Sequence, residues 1–72
     1  MKLIEVFKTN VLDKAAAREL AKSLRRLFPG SKISFDLDDC DRILRIESPA
    51  PIDVRQVTFS LKTEGYRADV LH

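Results

Sequence analysis

Six consecutive residues, Asp36-Leu37-Asp38-Asp39-Cys40-Asp41, gather four carboxylates and the only thiol of the chain. Carboxylate oxygens suit hard cations such as Ca²⁺ or Mg²⁺, whereas a thiolate suits soft ones. Asp38, Asp39, Cys40 and Asp41 are therefore the candidate metal ligands of this sequence. The spacing is not that of a helix–loop–helix calcium site, which places Gly sixth and Glu twelfth in its loop. The same residues also have a structural use. Asp stabilises tight turns, and charge at a hairpin tip discourages edge-to-edge pairing. Neighbouring carboxylates disfavour a thiolate, so Cys40 is not expected to act as a nucleophile. A lone cysteine forms no internal disulfide and fits a reducing compartment, so a cytoplasmic location is expected.

Nothing else in the sequence has the pattern of a catalytic centre. The one histidine, His72, is the last residue, and Gly30 and Gly65, the only glycines, make no phosphate-binding loop. No Ser/His/Asp, Cys/His or paired-acid arrangement stands out, so a chain that is not an enzyme and holds no cofactor is expected. The other concentration of charge is basic: Lys14, Arg18, Lys22, Arg25 and Arg26, with Glu19 as the one acid among them. Steps of four and three put most of these cations on one side of a helix. Such a stripe either docks an acidic partner or a phosphate backbone, or is simply solvated.

These side chains need elements to hold them. Leu3 to Lys8 alternates as a strand, with Ile4 and Val6 on one face and Leu3, Glu5 and Phe7 on the other. Asp13 opens a helix that runs to Leu27, with Ala17, Leu20, Ala21, Leu24 and Leu27 as its buried stripe. Phe28-Pro29-Gly30 ends it. Lys32 to Asp38 directs Ile33, Phe35 and Leu37 inward, turns at Asp38–Asp41, and returns as a strand over Arg42–Glu47, a hairpin. After Ser48-Pro49-Ala50-Pro51, Asp53 caps a second helix. Gln56 is placed for a capping box, Ile52 and Val57 for a hydrophobic staple, and Val54, Val57 and Leu61 for its core stripe. Gly65 stops that helix, and Tyr66 to Leu71 is a last strand with Tyr66, Ala68 and Val70 inward. The order is βαββαβ, which predicts an α+β ferredoxin-like sandwich: a four-stranded antiparallel sheet with both helices on one face.

The 72 residues make a single domain, 1–72, and 44% hydrophobic with 33% charged residues is a globular composition. Thirteen basic against eleven acidic residues, a net charge of +2, argues against a polybasic nucleic-acid binder. RNA-binding sheets of this topology use aromatics on the central strands, and only Phe7 is available there. No apolar run is long enough to span a membrane, and Glu5 and Lys8 interrupt the first apolar stretch, which does not read as a signal peptide.

The run Leu20, Leu24, Leu27, then Pro29-Gly30, a hairpin, a capped helix and Gly65-Tyr66-Arg67-Ala68 resembles the heavy-metal-associated domain of copper chaperones and metal-transporting ATPases. The likeness covers nearly the whole chain. That family binds soft Cu(I) or Zn(II) through the two thiolates of a GMTCxxC loop after the first strand. Here Asn10-Val11 stand where GM would be, with Val11 keeping the buried apolar residue, and Asp13 and Ala16 stand at the cysteine positions. A one-residue shift would place Lys14 and Ala17 there instead, again without a thiol. The resemblance thus implies the fold without the metal transfer. The chain is also similar to short uncharacterised bacterial proteins of this type, a likeness that implies no activity.

With the helices on one sheet face, the other is left open. By the alternation above it carries Leu3, Glu5, Phe7, Ile43, Arg45, Glu47, Arg67, Asp69 and Leu71. Leu3, Phe7 and Ile43 are the expected partner-binding centre, with Glu5 and Arg45 paired across the strands to keep the face soluble. The alternative contact is the Ile52–Phe59 side of the second helix. The leading functional expectation is a small cytosolic protein-interaction module that docks on a protein partner or on itself through the open face. One alternative is metal binding or transport through unconventional ligands in the Asp36–Asp41 turn, or through Asp13 near Asn10. Another is a small-molecule-sensing regulatory domain, since amino-acid-sensing domains share the topology.

Overall fold

The computed structural model describes residues 2–71, and His72 lies outside them. The elements run β1 (Leu3–Thr9), α1 (Lys14–Leu27), β2 (Lys32–Asp36), β3 (Ile43–Ser48), α2 (Val54–Thr63) and β4 (Ala68–Val70). The strands form one antiparallel sheet in the order β2-β3-β1-β4, the ferredoxin-like α+β arrangement. No helix among the described residues is long and apolar enough to cross a membrane.

Local chemistry sets the element ends. The Asp13 carboxylate accepts a hydrogen bond from the Ala16 amide at 2.7 Å and caps α1. At the other end the Phe28 amide donates to the Leu24 carbonyl, and Gly30 turns the chain at φ +83°, where a Cβ would be strained. Asp53 caps α2 by accepting from the Arg55 amide at 3.0 Å. Among the described residues the Gln56 side chain makes no bond to the Asp53 amide, so the expected capping box is only a simple cap. Ile52 is half-buried against the core that contains Val57.

The core lies between sheet and helices. Phe7, Leu20, Leu24, Leu44, Ile46, Val57 and Leu61 are among its fully buried side chains. Two expectations fail here. Phe7 has no exposed surface, so β1 sits with the opposite phase to the one expected. Its register pairs Leu3 with Ser48, Glu5 with Ile46 and Phe7 with Leu44, which places these odd-numbered residues on the helix-covered face. Ile4 and Val6 face out instead, with Ile4 47% exposed. The physical reason is that β1 is apolar on both parities, and burying the larger Phe7 removes more apolar surface from water than burying Ile4 would. The second failure is Leu27, which ends α1 at 47% exposure while Phe28 packs on the core in its place.

Candidate functional site

The acidic turn closes the β2–β3 hairpin with its own side chains. Asp36 Oδ1 accepts from the Asp38 amide at 3.2 Å, and Asp39 Oδ1 accepts from the Asp41 amide at 2.8 Å. The Arg42 amide donates to the Asp39 carbonyl at 3.0 Å. Arg42 adopts a left-handed backbone, φ 48°, and its Nη1 donates to the Leu37 carbonyl at 2.9 Å. These are the bonds by which short polar side chains build turns. Of the four expected metal ligands, the structure brings together three: ligand atoms of Asp39, Cys40 and Asp41 all lie within 4.8 Å of one another. Asp38 is not part of that group. Cys40 is a free, exposed thiol.

The turn is anchored to the start of the β1–α1 loop. The Thr9 amide donates to the Asp41 carbonyl at 3.0 Å, and the buried Thr9 hydroxyl donates to the Arg42 carbonyl and accepts from the Val11 amide. Val11 is fully buried, as expected for the residue that follows Asn10. Asn10 Oδ1 accepts from the Arg67 amide at 2.7 Å, tying the loop to the approach to β4. Sequence reading missed Thr9 and Asn10 as organisers of this end, and their only signal was a polar pair directly after a strand. Asp13 and Ala16 are joined to each other by the helix cap. Leu12, between the buried Val11 and the capping Asp13, is 71% exposed.

The open sheet face differs from the expected docking surface. Leu3 and Phe7 belong to the other face, and only Ile43 lies where it was placed. Cross-strand register sets Ile4 opposite Glu47, Val6 opposite Arg45, Lys8 opposite Asp69 and Ile43 opposite Asp36. Arg45 pairs with Glu47 on its own strand at 3.3 Å, and not with Glu5, which points to the helix side. Each apolar residue on β1 and β3 therefore has a charged neighbour, and the face is a mixed grid without a continuous apolar centre.

The alternative contact survives in part. Ile52 is half-buried against the core, whereas Phe59 is 67% exposed. Phe59 and Leu27 line a cleft between the end of α1 and the outer side of α2, with Gln56, Ser60 and Thr63 as its polar lining. Comparison with known proteins finds no family model, no curated protein and no solved structure that matches the chain.

Proposed function

We propose that the chain is a small non-enzymatic protein-interaction module on a scaffold resembling the heavy-metal-associated domain without its two loop thiols. The observation that carries the reading is Phe59, an aromatic left 67% exposed that lines one cleft with the 47% exposed Leu27. A large aromatic at the mouth of a cleft, rimmed by polar groups, is the composition of a binding anchor. The partner contact is then at Leu27 and Phe59, and not at Leu3, Phe7 and Ile43. Phe59→Asp tests it beside Ile4→Asp on the open face, by light scattering at several concentrations and by pull-down of bound proteins. Loss of association in the Phe59 variant alone supports the reading; loss in the Ile4 variant alone removes it.

A second reading, metal capture, is favoured by the convergence of Asp39, Cys40 and Asp41 within 4.8 Å. Zn(II), Cu(I) and Ca(II) titrations of the chelator-treated chain, with Cys40→Ser as control, decide it. Stoichiometric binding lost in that variant supports it, and no saturable binding of any of the three ions ends it.

A further inference from the structure

The two helices carry mostly one sign of charge. α1 has five cations and α2 has Arg55 and Lys62, with Glu19 the only acid in either helix. The other carboxylates belong to strands, caps and loops, four of them to the Asp36–Asp41 turn. A net charge of only +2 for the whole chain therefore includes a distinctly basic helix layer.

Phe59 stands within that layer. On a helix surface the neighbours of a residue are those three and four places away. For Phe59 these are Arg55 and Gln56 on one side, Lys62 and Thr63 on the other, all exposed. A cation thus lies one turn to either side of the ring, and no acid is among its helix neighbours. Asp53 and Glu64 cap the two ends of α2, outside that set. Asp53 does reach Arg55, at 3.8 Å, but the Arg55 side chain is 94% exposed, and such a pair is weak and screened. On α1, Glu19 pairs with Lys22 at 3.6 Å. Among the described residues neither Lys62 nor Arg26, next to Leu27 in sequence, makes an ion pair. The cleft that Phe59 shares with Leu27 measures about 330 Å³, and none of its lining residues is charged. A hollow of this kind takes an inserted side chain, which a protein segment supplies and a bilayer surface does not.

We infer that the segment bound at Phe59 is acidic. It places one aliphatic or aromatic side chain against Leu27 and Phe59, and sets Asp or Glu on either side of it, toward Arg55 and Lys62. This rests on the proposed contact at Phe59 and adds to it the chemistry of the partner. The apolar insertion supplies the contact, while the flanking cations speed the approach of acidic segments and reject basic ones. The same charge disfavours a two-fold dimer through this face, because the axis would bring two basic helix layers together.

The probe is a random dodecapeptide library displayed on phage and panned on the full chain. Enriched peptides are synthesised, and their affinities are read by fluorescence anisotropy at low and at physiological salt. The comparison set is Phe59→Asp, the double variant Arg55→Glu/Lys62→Glu, and Arg18→Glu, which lines a separate groove between α1 and β2. Expected are peptides with an apolar residue flanked by Asp or Glu, and loss of their binding in Phe59→Asp. Weakening of about tenfold or more is expected in the double variant and a smaller loss with salt, with Arg18→Glu unchanged. Peptides that lose binding in Phe59→Asp but carry no acidic flanks, or ignore the double variant, overturn the inference and leave the contact at Phe59 standing. Peptides that bind Phe59→Asp as tightly as the native chain remove both. A lack of enriched peptides also overturns the inference. So does binding to phosphatidylglycerol vesicles, or concentration-dependent self-association, that the double variant abolishes, since either assigns the basic layer to another occupant.

Discussion

Truncating Phe7 to alanine is predicted to remove a large part of the stability of the domain. Phe7 is fully buried on the central strand β1, opposite Leu44 and Val70, beneath the helices. Phe→Ala at such a site costs about 3–5 kcal/mol in lost burial and residual cavity. A domain of 72 residues, at roughly 0.05–0.15 kcal/mol per residue, stands about 4–11 kcal/mol above its unfolded state. For a domain this small each kcal/mol is worth about 4–8 °C in melting temperature, so a fall of roughly 12–40 °C is expected. Urea unfolding followed by far-ultraviolet circular dichroism measures the loss directly. Phe59→Ala is the matched control: at 67% exposure it should change stability by no more than about 0.5 kcal/mol. If Phe7→Ala costs under about 1 kcal/mol, no more than a typical surface change, then the odd-numbered face of β1 is not buried and the strand phase described above is wrong.

Thr9→Val is predicted to cost about 1–3 kcal/mol despite its conserved shape, because it leaves the Arg42 carbonyl and the Val11 amide without the buried hydroxyl that joins them; urea midpoints would measure it. Cys40→Ser should leave the melting temperature essentially unchanged, within about 0.5 kcal/mol, since the thiol is exposed at the turn. A larger loss would mean that the thiol is held by a partner or an ion.

The parts of the fold that were legible in the sequence are those written in locally specific chemistry. Asp13 and Asp53 cap the two helices, Gly30 takes the left-handed turn, and Lys32–Asp36 alternates strictly. The phase of β1 was not legible, because Leu3-Ile4-Glu5-Val6-Phe7 is apolar on both parities and the single charge, Glu5, lies on the buried side. Lys8 and Thr9 held the better signal. Lys8 is exposed and Thr9 buried, which sets the even residues outward once the strand is carried one position further. A one-residue slip of this kind inverts every assignment on a strand, and with it went the expected contact of Leu3 and Phe7. Phe59 could be read as lying off the buried stripe of α2, because a helix repeat is specific where a short apolar strand is not.

The position of β1 in the sheet also sets an order in time. Phe7 pairs with Leu44 on one side and Val70 on the other, so both neighbours of the central strand come from much later in the chain. The β2–β3 hairpin needs only its own turn to form and can do so within microseconds, whereas closing β1 between β3 and β4 must wait for distant segments to meet. A hairpin formed ahead of the rest would present Ile33, Phe35, Leu44 and Ile46 without helices over them. Four carboxylates at or beside its tip would then keep such a hairpin soluble as well as form its turn. Refolding rates of Asp38 and Asp39 neutralised to Asn, measured across protein concentration, would separate that service to the folding chain from any service to the folded one.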